Sequence, residues 1–291
     1  CDPREESNAS LSRLMIGAEP PTLAPTPRDP GAVVLQVRDL SLPKQDPFGV
    51  DLDKIHLQVR AGEVVGMAGV SGNGQRELLW ALSGEDTRAE PEAITIGNTP
   101  SGALPPGARR RLGLHFVPEE RLGRGAVPSL GLAHNLLLTR RESLGTGGWI
   151  RMGTLVQQAQ EVIDRFQVKA SGPNAAAKSL SGGNLQKFIV GREISAAPKL
   201  LIVSQPTWGV DVGAAAQIRA EILSLRDAGC AVLVVSEELE ELFEISDRLH
   251  VIAKGRLSPS LPRAEATVER IGEWMSGLWP ALNEEAQHVQ A

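Results

Sequence analysis

Apolar and polar residues alternate twice near the start of the chain, in Val34-Leu35-Gln36-Val37 and in Ile55-His56-Leu57-Gln58-Val59. A period of two puts every second side chain on one face, so both segments read as half-buried strands. Val64-Val65-Gly66-Met67-Ala68 is apolar throughout and reads as a buried strand that runs into a glycine loop. Gln75 to Leu82 comes next, with Leu78, Leu79 and Leu82 on one helical face. The alternation of types resumes at Leu200-Leu201-Ile202-Val203, a short buried strand. Beyond it lie a helix with a seam of Ile218, Ile222 and Leu225, a buried strand over 230–235, a Glu-rich helix and Leu249-His250-Val251-Ile252. Strands alternating with helices predict an α/β fold whose sheet is mainly parallel and covered on both faces. The N-terminal strands lean towards an antiparallel region beside it.

Between these blocks, about 105–180, the pattern is helical and charged. Thr154-x-x-Gln157 fits a capping box opening a helix, with Leu155, Val156, Ala159, Val162, Ile163 and Phe166 on one face. Pro118-Glu119-Glu120-Arg121 and Gly123-Arg124-Gly125 form a charged loop. The whole stretch is expected to be a helical insert. Trp80 and Trp149 belong to no motif and are expected to pack.

Pro20, Pro21, Pro25, Pro27 and Pro30 lie among small polar residues and predict a semi-rigid linker over 18–32. Leu11-Ser12-Arg13-Leu14-Met15-Ile16-Gly17 is echoed by Ile271-Gly272-Glu273-Trp274-Met275-Ser276-Gly277. On that echo 1–17 is the tail of a preceding copy, 33–280 is one domain and 281–291 is a flexible tail. The chain does not begin with Met and reads as a piece of something longer.

Composition narrows the chemistry. The net charge of −5 argues against a nucleic-acid surface, and the absence of Tyr, with five Phe and five Trp, argues against base-stacking platforms. Two cysteines, Cys1 and Cys230, make no disulfide framework, and Cys230 reads as a buried small hydrophobe. No apolar run reaches the ~18 residues of a membrane helix. No metal cluster is written in the sequence.

Two glycine turns carry the candidate chemistry. Gly69-Val70-Ser71-Gly72-Asn73-Gly74-Gln75-Arg76 lies between a strand and a helix, where Gly69, Gly72 and Gly74 permit positive φ and let N–H groups cradle an anion. It keeps the glycines of G-x-x-x-x-G-K-[ST] but has Gln75 in place of the lysine and Arg76 in place of the hydroxyl that binds Mg²⁺. A lysine there gives charge-assisted bonds worth ~1.5–3 kcal/mol each; glutamine offers a neutral bond. The second turn, Leu180-Ser181-Gly182-Gly183-Asn184, opens a helix, with Ser181 as its expected cap and a dipole that favours an anion.

The order of the segments after these turns resembles the ATP-binding cassette of ABC transporters, and the resemblance spans about 33–280. In that family the signature LSGGQ precedes a strand ending Asp-Glu-Pro-Thr, and a later strand ends Ser/Thr-His. Here those positions hold Ser204, Gln205 and Glu237. Serine has no charge to orient a Mg²⁺ ligand, glutamine cannot act as a carboxylate base, and Glu237 repels a γ-phosphate. The resemblance therefore implies a chain whose own site, Gly69 to Arg76, does not hydrolyse ATP. Its signature, from Leu180 to Asn184 with Gln186, would close on ATP and Mg²⁺ held by a facing cassette. Asp211 would lie at that dimer seam, or simply cap a helix.

Ser181-Gly182-Gly183-Asn184-Leu185-Gln186-Lys187 is similar to the SGGNQQK form of importers for simple sugars and nucleosides. Val117 to Gly125 resembles their V-P-E-D-R-x-x-x-G segment, and Gln205 to Asp211 their Q-P-T-R-G-L-D with Trp208 for Arg. Such importers join two cassettes in one polypeptide, the second degenerate. The implied partners are an N-terminal cassette, membrane permease subunits and, indirectly, a solute-binding protein, at the cytoplasmic face of the plasma membrane. Glu119 and Arg121 lie in the loop that faces the permease in this family. An aromatic that stacks adenine is expected after the first strand, and none lies around Ser41–Lys44. A soluble ATPase away from membranes and a non-catalytic interaction or regulatory module are the rival readings.

Overall fold

The computed structural model describes residues 29–140, 145–146 and 149–280. Strands β1 (Val33–Leu42) and β2 (Leu52–Arg60) pair antiparallel, and β3 (Val64–Ala68) leads through the glycine loop into helix α1 (Gln75–Ser83). Then come β4 (Ile94–Ile96), β5 (Thr99–Pro100), α2 (Pro106–Arg111) and β6 (Leu114–Val117). The middle holds α3 (Leu132–Leu137), β7 (Gly145–Thr146), β8 (Trp149–Ile150) and α4 (Met152–Arg165). The signature helix α5 (Gly182–Ile194) precedes β9 (Leu200–Ser204), α6 (Val212–Asp227), β10 (Ala231–Ser236) and α7 (Leu239–Ile245). Strands β11 (Arg248–Ala253), β12 (Arg256–Leu257) and β13 (Leu261–Pro262) and helix α8 (Val268–Met275) complete it.

The main sheet has seven strands in the order β12-β11-β3-β10-β9-β6, with β13 also on β11. Its central strands β11, β3, β10, β9 and β6 are all parallel. The smaller sheet, β2-β1-β4-β5, is antiparallel. The expected fold class is the observed one.

Alternation along the buried strands divides the core. Val232 and Val234 point into one cluster with Leu201 and Val203, against α4, α5 and α6. Ala231, Leu233 and Val235 point into the other with Leu200 and Ile202, against α1 and the antiparallel sheet. Each buried Val, Leu or Ile contributes ~1.5–3 kcal/mol, so the sheet is held from both sides and its strand ends are fixed. Ser204, Ser236 and Ala68 end three neighbouring parallel strands at the same edge, the place where open α/β sheets put ligands.

Several expectations need correction. Thr154 makes no cap: α4 starts at Met152, so Thr154 lies inside the first turn, and the N-cap position is held by Arg151, whose side chain does not cap the helix. The apolar face itself is as expected, with Leu155, Ala159, Val162, Ile163 and Phe166 buried. Within the stretch expected as an insert, β6 is a core strand paired with β9. Trp149 does not pack among the described residues but is 82% exposed. Trp80 is half-buried, with the Arg76 guanidinium 4.9 Å above its ring. The first member of the repeated echo, Leu11–Gly17, most of the linker and 281–291 lie outside the described residues.

Candidate functional site

The loop between β3 and α1 takes its shape from two left-handed glycines, Gly72 at φ 83° and Gly74 at φ 108°. Gly69 is not left-handed; it is needed for space, since a Cβ there would lie 2.6 Å from Gln75 Nε2 and 2.8 Å from the Ile252 carbonyl. The loop is braced from the side by the β11–β12 turn. Gly255 N–H donates to the Asn73 carbonyl and Lys254 N–H to Asn73 Oδ1, both at 2.9 Å.

Gln75 folds back over the loop that precedes it. Its Nε2 donates to the Val70 carbonyl at 2.9 Å, and its Oε1 accepts from Asn73 N–H at 3.0 Å. The carboxamide thus takes an amide that the turn would offer to an anion. Arg76 is also occupied, paired with Asp46 at 3.0 Å and Glu77 at 2.9 Å. The hydrogen bond from Arg76 to Glu77 raises the arginine's pKa further.

The other altered positions gather beside this loop. Ser204 is buried at the end of β9. Gln205 is left-handed at φ 49°, and its N–H donates to the Val235 carbonyl at 2.8 Å. Its Oε1 accepts from Ser236 Oγ and Glu237 N–H at 3.4 Å each. A cavity of about 270 Å³ brings Gln75, Ser204, Gln205 and Glu237 together with Glu119 and Phe48. Burial raises the pKa of Glu119, helped by Glu120 and Glu237. The cavity wall carries Glu77, Glu119, Glu120 and Glu237 against two arginines, Arg76 and Arg124, each already paired with acids, so little cationic charge is left for an anion. Among the described residues no group of three or more His, Cys, Asp or Glu could hold a metal ion.

Phe48 lies just beyond the stretch around Ser41–Lys44 in which the sequence shows no aromatic. The chain loops out before β2 and sets Phe48, 94% exposed, on the cavity wall. The sequence signal was the Asp46-Pro47-Phe48-Gly49 turn, with polar residues and a proline around one aromatic.

At the second turn, Ser181 occupies the N-cap of α5 but makes no cap bond. Its Oγ accepts instead from Asn184 Nδ2 at 2.9 Å, while Asn184 Oδ1 accepts from Lys169 N–H at 2.8 Å. Leu180 packs partly buried against the core, and Gly182 is exposed. Gln186 is buried and donates to the Pro206 carbonyl at 3.0 Å. Arg121 reaches this cluster from the charged loop. Its Nε donates to Gln186 Oε1 at 3.0 Å, its Nη2 to the Trp208 carbonyl, and its guanidinium lies 5.4 Å over the Trp208 ring. Asp211 caps α6, accepting from Ala214 N–H at 2.9 Å. Glu119 and Arg121, two residues apart, therefore serve different places: one lines the cavity, the other grips the signature turn.

The far end of α5 is tied to the same charged loop. Arg192 donates to the Gly125 carbonyl at 2.9 Å and to Glu193 Oε1 at 2.8 Å. Glu193 Oε2 accepts from Arg110 at 2.7 Å and lies 2.8 Å from His115 Nδ1. Burial alone would push the Glu193 carboxyl up, but Arg192, His115 and Arg110 hold it well below the usual carboxylate range. Nothing in the sequence alone joins His115, Arg110 and Glu193, which lie on β6, α2 and α5.

A family model described as ABC transporter matches residues 52–208, from β2 through the signature helix to Trp208. The chain is 39% identical over 93% of its length to the glucose import ATP-binding protein TsgD13 of Haloferax volcanii, covering 50% of that protein. It is 36% identical over 94% of its length to the nucleoside import ATP-binding protein NupA of Lactococcus lactis subsp. cremoris, covering 54% of it. The ribose import ATP-binding protein RbsA 1 of Rubrobacter xylanophilus is 38% identical over 90% of this chain and 51% of its own length. The chain thus spans about half the length of the curated relatives it matches. A nucleotide-free ATP-binding cassette from an ABC transporter superposes with a TM-score of 0.67 at 19% identity, over 83% of this chain and 95% of that one, a likeness of fold. With its parallel sheet, glycine loop after β3 and signature turn before β9, the chain belongs to the ABC transporter family as an ATP-binding cassette.

Proposed function

We propose that this chain is the C-terminal, degenerate cassette of a two-cassette ATPase driving import of nucleosides or simple sugars. The relatives named for such imports support the solute class, and the half-length match supports a second cassette in the same polypeptide. On that reading 1–17 is a preceding cassette's tail, 18–32 a linker and 33–280 this cassette. The assembly would sit at the cytoplasmic face of the plasma membrane, on permease subunits supplied by a solute-binding protein. The loop of Glu119 and Arg121 would meet the permease. Among the described residues no helix is long and apolar enough to cross a membrane.

The observation that carries this reading is the position of Gln75 across its own loop. The chain's own residues do not fit a Mg²⁺-bound triphosphate. The lysine is absent, its replacement occupies the cradle, and Ser204 and Gln205 bring no charge to the metal side. The signature turn keeps its glycines and its exposed N-terminus, and it serves ATP on the facing cassette. Asp211, exposed at the start of α6, lies at that seam. When bound there, ATP and Mg²⁺ supply the phosphoryl chemistry, and this chain supplies the Gly182 and Gly183 amides that orient the phosphate.

The test is ATP hydrolysis by the purified chain, expected at background. Steady turnover that Gly74→Asp abolishes would overturn the reading. In the two-cassette polypeptide, Gly183→Asp is expected to remove most turnover although it lies outside the loop that holds the nucleotide.

A further inference from the structure

Arg121 is bound in a way that the other arginines near the cavity are not. Arg76 is paired with Asp46 and Glu77, and Arg124 with Glu85 and Glu120. Arg121 makes no ion pair among the described residues. Its partners are neutral: the Gln186 carboxamide oxygen on Nε, the Trp208 carbonyl on Nη2 and the Trp208 ring beneath the plane. These three contacts fix the orientation of the fork. They leave Nη1 without a hydrogen bond among the described residues.

That free corner faces the signature turn. A Cβ placed on Gly182 would lie 2.7 Å from Arg121 Nη1, so the guanidinium covers the side of the first residue of α5. The N-terminus of a helix carries partial positive charge, and a cation there is disfavoured. No carboxylate pairs with Arg121 among the described residues, and burial lowers its pKa. A cation held rigid against a positive helix end, with donors to spare, is a half-built oxyanion site.

We infer that Arg121 is a member of the signature site, its Nη1 reaching the terminal phosphate of the nucleotide on the facing cassette beside the amides of Gly182 and Gly183. This rests on the reading that the signature closes over a facing cassette's ATP. It assigns a fixed positive charge to a turn whose own motif contains none. Trp208 gains a purpose as well: its exposed ring is the platform that keeps the guanidinium planar to the turn.

The experiment uses the two-cassette polypeptide with its permease, and measures kcat and KM for ATP together with the melting temperature. Arg121→Gln is expected to lower kcat at least about tenfold with KM changed less than about threefold, since a guanidinium on a transferring phosphoryl group acts mainly in the transition state. Arg121→Lys keeps the charge and is expected to retain at least about threefold more turnover than Arg121→Gln. Unchanged turnover in both variants overturns the inference, and so does an equal loss in both. A loss of turnover that follows a fall in melting temperature overturns it too, because the contacts to Gln186 and Trp208 would then account for it as a structural bracket; the melting temperatures are expected to stay within about 2 °C of each other. Gly183→Asp separates this from the underlying reading. If it abolishes turnover while the Arg121 variants do not, Arg121 alone falls. If it leaves turnover intact, the signature reading falls and takes Arg121 with it.

Discussion

Gln75 and Asn73 close a ring within the phosphate loop, the Asn73 N–H donating to Gln75 Oε1 at 3.0 Å. The second arm of the same carboxamide holds Val70. Gln75→Ala removes both bonds at a half-exposed site, for an expected loss of about 1 kcal/mol read from the urea midpoint. On the proposed reading Gln75→Lys restores the family residue and is expected to leave turnover at background, because Ser204 and Gln205 remain. Phosphate release by the purified Gln75→Lys chain above background would contradict this.

Gly255 holds the loop from outside. It is left-handed at φ 72°, and a Cβ would stand 1.8 Å from the Asp51 carbonyl, a clash with backbone that no rotamer relieves. Gly255→Ala is expected to cost more than about 2 kcal/mol. Amide exchange should be faster at residues 254 and 255, whose N–H groups donate to Asn73.

Glu193 balances three cationic or proton-carrying neighbours in a dry site. Glu193→Gln leaves Arg192 and Arg110 without that charge, and about 3–5 kcal/mol is expected to be lost. Chemical denaturation gives the value; a change below about 1 kcal/mol would mean that water reaches the cluster.

His250 gives the chain an acid limit. It is buried, and its Nε2 lies 2.9 Å from Arg248 Nη1, so Nε2 accepts and Nδ1–H donates to the Ser258 carbonyl at 2.9 Å. Burial, with the Arg248 charge, pushes its pKa down to about 4. The unfolded imidazole titrates near 6.5, so between those values the unfolded chain binds the extra proton. Stability is full above about pH 6.5 and falls as pH drops towards 4, by about 3 kcal/mol. His250→Gln is expected to flatten the dependence of melting temperature on pH in that window.

The sheet was legible because its strands are buried runs bounded by glycine turns: Val64 to Ala68 and Leu200 to Val203 need only their apolar residues to be placed. The altered positions were legible as positions. Ser204, Gln205 and Glu237 lie at or just beyond the ends of β9 and β10, and Gln75 opens the helix reached from β3, so all four gather at one edge of the parallel sheet. Side-chain direction was not legible. That Gln75 bends back, that Ser181 turns to Asn184, and that Arg121 departs from Glu119 are rotamer choices settled by neighbours that no local pattern names. Thr154 failed for a related reason: a capping box names two residues, but the helix started earlier, at Met152. Phe48 was missed because nothing local fixes how far the loop after β1 extends before β2.

The brace between Asn73 and the Gly255 turn has a thermodynamic corollary. A phosphate loop that waits for nucleotide is ordered by it, so its folding free energy rises with ligand concentration. Here the carboxamide of Gln75 and the backbone of 254–255 already satisfy the loop from within. Nucleotide then has little left to order in this loop. The isolated chain, with no facing cassette, is expected to keep the same melting temperature as ATP is added.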